Sequence, residues 1–172
     1  MYSYRLRSLS ALLINVLLIL IISYINHTLS PQSVYIYIDG LFIIFVITHF
    51  GFKAGFWILL LTGLFRDAYS IFPFGMSSSL YLIAYTTIRL ANTKLRHDLF
   101  EQNLAISLII NAFLFTTISI IHSISNGLSF HYLASFLLNF ILSEFMLFLT
   151  IKWFFNFQQS IPALLGITAK HE

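Results

Sequence analysis

Long apolar runs separated by short polar links make up this chain. Residues 9–24 (LSALLINVLLILIISY) are continuous apolar sequence behind a head that carries Arg5 and Arg7, and further runs cover 34–50, 55–72, 76–91, 103–124 and 132–155. A polar link with Ser30 and Pro31 follows the first run, a tight turn carrying Lys53 the second, and a Ser-Ile-Phe-Pro-Phe-Gly turn the third. The fourth link, 92–102, is the most polar stretch, with Lys94, Arg96, His97, Asp98 and Glu101; a short link at 125–131 and a tail at 156–172 complete the pattern. A helix crossing about 30 Å of hydrocarbon needs roughly 17–25 residues, and each run meets or nearly meets that length. The expectation is an all-α membrane protein, a six-transmembrane-helix bundle with residues 1–172 as a single membrane domain. The charged head and first run imitate a secretory signal, but the following INHTLSPQS offers no small-x-small cleavage site, so an uncleaved first span is expected.

Composition says why lipid must be the solvent. Of 172 residues 59% are hydrophobic, 17% aromatic and 9% charged, with a mean hydropathy of +0.89. A globular chain carries about 25% charged residues, so this one lacks the polar groups to cover a water-facing surface. The net charge of +3 is spread over singly scattered basic residues with no Lys/Arg run to neutralise several phosphates at once, and no nucleic-acid partner is expected. Cysteine is absent, which excludes disulfides, thiolate nucleophiles and sulfur-ligated metals.

Orientation follows from the basic residues. With the head inside, Arg5, Arg7, Lys53, Arg89, Lys94, Arg96, Lys152 and Lys170 lie at or beyond inner ends and only Arg66 lies near an outer one, while the outer links 26–33 and 125–131 carry no Lys or Arg. Both termini are therefore expected in the cytoplasm. In that topology Asp39 sits about a turn below the outer start of the second span, and Arg66 and Asp67 about a turn below the outer end of the third. The three charges share a level. Charge in hydrocarbon costs roughly 2.5–3.5 kcal/mol per group on insertion scales, so Asp39, Arg66 and Asp67 are expected to compensate one another. Such a cluster either fixes helix register or forms a substrate or partner site, and the residues leave both open.

Gly51, Gly55, Leu59, Gly63 and Asp67 fall at successive i+4 steps, one ridge along the third span where small residues let a neighbouring backbone approach. Pro73 and Gly75 mark the turn that follows. Glu144 stands alone near the middle of the sixth span beside Asn139 and Ser143. Burial at that depth disfavours its charged form; it is either a neutral acid hydrogen-bonded to Asn111 or Asn15, or a partner or proton site. His27, His49, His122 and His131 lie at span ends with no two at the i, i+4 spacing of a zinc pair, so no metal is expected. Arg89 is expected to snorkel from the end of the fourth span. H-E-x-x-H, G-x-S-x-G, a Walker loop and the clustered aspartates of a metal-dependent lipid transferase are all absent, and neither an enzyme nor a cofactor is implied.

Asp39, followed by Gly63, Asp67, Ser70, Phe74, Gly75 and Leu80 in GLFRDAYSIFPFGMSSSL, resembles the pattern of the rod shape-determining protein MreD family. There an acidic residue opens an early helix, and a G-x-x-x-D-x-x-S segment leads into a short turn ending in Gly and a further helix. The family often has Pro before the first acid, where this chain has Ile38. The resemblance implies a non-catalytic scaffold of the bacterial elongation machinery in the inner (plasma) membrane. It would bind an MreC-type protein and work with MreB, RodA and a class B penicillin-binding protein to direct lateral peptidoglycan synthesis. The family is also similar in architecture to the substrate-binding components of energy-coupling-factor vitamin transporters, which gives a second expectation. Those proteins dock their coupling subunit through Ala-x-x-x-Ala on the first helix, and here Ala11 is followed at that spacing by Asn15.

The charge asymmetry generates a topology test. Reporter tags at both termini and within 92–102 should read as cytoplasmic, and tags at Pro31 and Gly127 as external; an external C-terminus would overturn the six-span count.

Overall fold

The computed structural model describes residues 2–70, 73–91, 100–126 and 130–164, with the side chains of 2–4, 122, 125, 126, 130, 131 and 162–164 excepted. Within that range six α-helices follow one another with no strand: α1 (Tyr2–Leu29), α2 (Asp39–His49), α3 (Phe52–Ala68), α4 (Met76–Ala91), α5 (Phe100–Asn126) and α6 (Phe130–Leu164). Three of these, α1, α5 and α6, are long and apolar enough to cross a membrane, and α2 is a shorter apolar helix. The fourth expected run is reproduced at both ends, whereas α1, α5 and α6 extend beyond theirs into the polar links. The link residues 92–99, including Lys94, Arg96, His97 and Asp98, lie outside the described residues, as do the side chains of His122 and His131.

The second expected run is where helix and apolar run part company. Residues 34–50 do not form one helix: a short 3-10 turn, Ser30–Gln32, ends α1, and residues 34–38 run on without helical hydrogen bonding until α2 begins at Asp39. Pro31 supplies the local reason. It lacks the N–H that would continue the hydrogen-bond ladder of α1, and Ser33 then turns the chain with a left-handed φ of 59°.

What remains of that run, α2, is apolar on every side and is buried on every side, as such a helix must be. All its residues from Asp39 to Thr48 are buried, and α3, α4, α5 and α6 all contact it. Its lower half is locked by rings: Phe45 meets Phe154 and Phe155 edge to face at 5.6 and 5.3 Å, and Phe42 meets Phe154 at 6.0 Å. The remaining helices close around it through small residues and amides. A side chain at Gly40 would collide with the Ser107 carbonyl and the Asn111 backbone of α5, so the two helices cross almost backbone to backbone. Asn15 of α1 donates to Thr62 of α3 at 3.1 Å and accepts from Gln158 of α6 at 2.9 Å, which joins three helices at one buried point.

Candidate functional site

The site is built on the segment between α1 and α2. Its backbone has no helix or sheet partner, yet Ile36 and Ile38 are buried and Val34 and Tyr37 partly so, and unpaired backbone groups away from water are costly. Side chains from three helices take the place of a neighbouring strand. Asn26 of α1 pairs with Ile36 at two points, donating to its carbonyl at 2.9 Å and accepting from its N–H at 2.8 Å. Asn139 of α6 accepts from the Tyr35 N–H at 3.1 Å and donates to the Ser33 carbonyl at 3.2 Å. Ser143 accepts from the Tyr37 N–H at 3.0 Å. Asn111 of α5 completes the set: it donates to the Tyr37 carbonyl at 3.0 Å and accepts from the Gly40 N–H at 3.2 Å. A side-chain amide carries one donor edge and one acceptor edge, the same pair that a peptide unit presents, which is why asparagine suits these positions.

The clamp delivers Asp39 to the first turn of α2, where the helix dipole favours an anion. Arg66 of α3 reaches it from the other side with Nε 3.4 Å from Asp39 Oδ1, both side chains being almost fully buried. The Arg66 guanidinium also lies over the Tyr37 ring, 5.3 Å from its centroid. Ile19 and Ile22 of α1, with Ile38 and Phe42, line a narrow crevice over the ion pair. The pair is thus enclosed by apolar walls, and the charges compensate each other where little else can.

Asp67, expected in the same cluster, is engaged elsewhere. Its carboxylate accepts from the Gly75 N–H and the Ser77 N–H, both at 2.9 Å, with the Ser78 hydroxyl at 3.5 Å. It satisfies N–H groups at the start of α4, the capping role that the residue flanking a helix start more often fills. Three other features make that reach possible. Gly75 adopts φ +95°, a conformation that costs glycine little. Pro73, exposed, accepts from the Met76 N–H at 3.1 Å through its carbonyl. Gly63 lets the backbone of Ser78 lie where any side chain would stand. Gly55, further down the same ridge, faces the Tyr85 hydroxyl in the same way.

Glu144 finds one of its two expected partners: Asn111 donates to its Oε1 at 3.0 Å, while Asn15 is committed to Thr62 and Gln158. Through Asn111 the acid is two hydrogen bonds away from the clamped segment. Arg89 does more than snorkel. It donates to the Phe50 carbonyl and lies over the Tyr85 ring at 5.6 Å. Among the described residues no group of three or more His, Asp or Glu side chains is arranged to hold a metal ion. The clamp itself, Asn26 with the paired use of Asn111 and Asn139, was not anticipated. The available signal was an asparagine inside each of the apolar runs 103–124 and 132–155, with Asn26 just beyond the first run. No family model, curated protein or solved structure matches this chain.

The geometry separates two sets of charges, and stability should do the same. Asp39→Ala or Arg66→Ala alone should each cost about 3–5 kcal/mol, because a buried charge is left without its partner, whereas an apolar replacement of both should recover most of that loss. Asp67→Ala should cost about 0.5–2 kcal/mol, the value of a lost cap. Thermal unfolding in detergent, read as a double-mutant cycle, checks this; additive losses for Asp39 and Arg66 would show that the pair is not coupled.

Proposed function

We propose that this chain is a non-catalytic scaffold of the MreD type in the bacterial inner membrane, an integral part of the cell-elongation complex that binds an MreC-type protein. The observation that carries the reading is that Gly63, Asp67, Ser70 and Gly75, four residues of the family-like segment, build one piece of structure. Gly63 admits the α4 backbone, Asp67 caps α4, Gly75 supplies the positive φ, and the Ser70 hydroxyl donates back to the Asp67 carbonyl at 3.3 Å. Such a pattern has a physical reason to occur as a unit.

The six-span arrangement with both termini in the cytoplasm belongs to the same proposal. Residues 34–38 add about 3.3 Å each and α2 about 1.5 Å per residue. Together they reach at most about 33 Å, the span of the hydrocarbon core, and in this reading a clamped non-helical segment and a half-length helix jointly replace one full helix. Irregular backbone at membrane depth is tolerated where it is buried in protein, which is the condition the asparagine clamp meets. α3 and α4 stand near the lower length limit.

Depleting the protein in a rod-shaped host should give rounded cells, and purification from native membranes should bring an MreC-type protein with it. Cells that keep their width but lose uptake of a vitamin, with an ATPase module co-purifying instead, would assign the chain to the transporter reading.

A further inference from the structure

The turn between α2 and α3 gathers cations from three parts of the sequence. Arg7 of α1 lies over the ring of Phe50, 5.5 Å from its centroid, and Arg89 of α4 donates to the carbonyl of the same residue. Lys53, in the first turn of α3, is exposed. None of the three makes an ion pair among the described residues, where the single salt bridge is that of Arg66 with Asp39. Arg89 keeps its Nε buried without a hydrogen-bond partner. The N-terminus of α3 starts at Gly51 with no side-chain cap, so its first N–H groups and the positive end of its dipole add to the same field. Beside this basic turn the outer face of α3 is apolar: Phe52, Trp57, Leu61 and Phe65 are all exposed.

We propose that this turn binds the phosphate of an anionic phospholipid, with the acyl chains lying along the Trp57–Leu61–Phe65 face. Two arginines share Phe50 as their anchor, one through its ring and one through its carbonyl, which holds their guanidinium groups beside the turn. Lys53 and the uncapped α3 N–H groups contribute further positive charge there. An aromatic and aliphatic stripe leading away from a cationic end matches an amphiphile better than a free anion. Each cation near a bilayer surface contributes comparably to holding an anionic headgroup. The inference stands apart from the scaffold role and needs only that the chain sits in a membrane.

The test uses the full chain in nanodiscs and in detergent. Native mass spectrometry with mixed phosphatidylglycerol and phosphatidylcholine should show retained phosphatidylglycerol. The Arg7→Gln/Lys53→Gln double variant, which breaks no backbone hydrogen bond, should lose roughly thirtyfold in that retention while remaining folded in plain detergent, with only a small drop in melting temperature from the lost Arg7–Phe50 contact. Lys152→Gln, exposed on a different helix, α6, should leave it unchanged. Equal retention by the wild type and the double variant overturns the site. An equal loss with Lys152→Gln would mean diffuse surface charge, and protection by inorganic phosphate as strong as by the lipid would mean a free-anion site; both contradict the proposal.

Discussion

Everything in this bundle depends on how a run of peptide groups without helical hydrogen bonds is kept inside an apolar interior. Between Ser33 and Gly40 the chain abandons its own repeat, and each buried N–H or C=O left alone there would cost about 1–3 kcal/mol. Asn26, Asn111, Asn139 and Ser143 remove that cost from three directions. Because those side chains sit on α1, α5 and α6, the same bonds that satisfy the segment also fix the three long helices around α2. The clamp is therefore a structural hub, and the position of Asp39 follows from it.

Given that hub, the charged residues divide by what surrounds them. Asp39 emerges at a helix start, where its charge is favourable, and Arg66 closes on it beneath apolar side chains. Asp67 points the other way from the neighbouring residue of α3 and holds the start of α4. Adjacent positions on a helix lie about 100° apart around its axis, so Arg66 and Asp67 cannot both face α2. One serves the ion pair and the other serves the turn. Glu144 joins the system through Asn111, whose amide thus bridges the α2 entry and the middle of α6.

Much of this was legible in the sequence, and the remainder was hidden for identifiable reasons. Apolar run length located the helices, and the 76–91 run coincides with α4 because a Gly-bearing turn precedes it. The Gly55 and Gly63 ridge was readable because i+4 spacing is a property of the helix alone. The break at residue 34 was not, since Val34 to Ile38 is as apolar as a membrane helix, and only partners from three other helices make non-helical backbone tolerable there. Asp67 was misplaced for a related reason. Shared depth brought it to the level of Asp39, but depth does not fix the direction a side chain faces, and its partners came from the next helix.

Amide hydrogen exchange resolved at single residues tests the clamp most directly. With the protein in micelles, the N–H groups of Tyr35, Ile36, Tyr37 and Gly40 should exchange as slowly as those inside α2, and Asn111→Ala should release Gly40 while Ile36, held by Asn26, stays protected. Rapid exchange at all four in the unmodified chain, as in an exposed loop, would contradict the account.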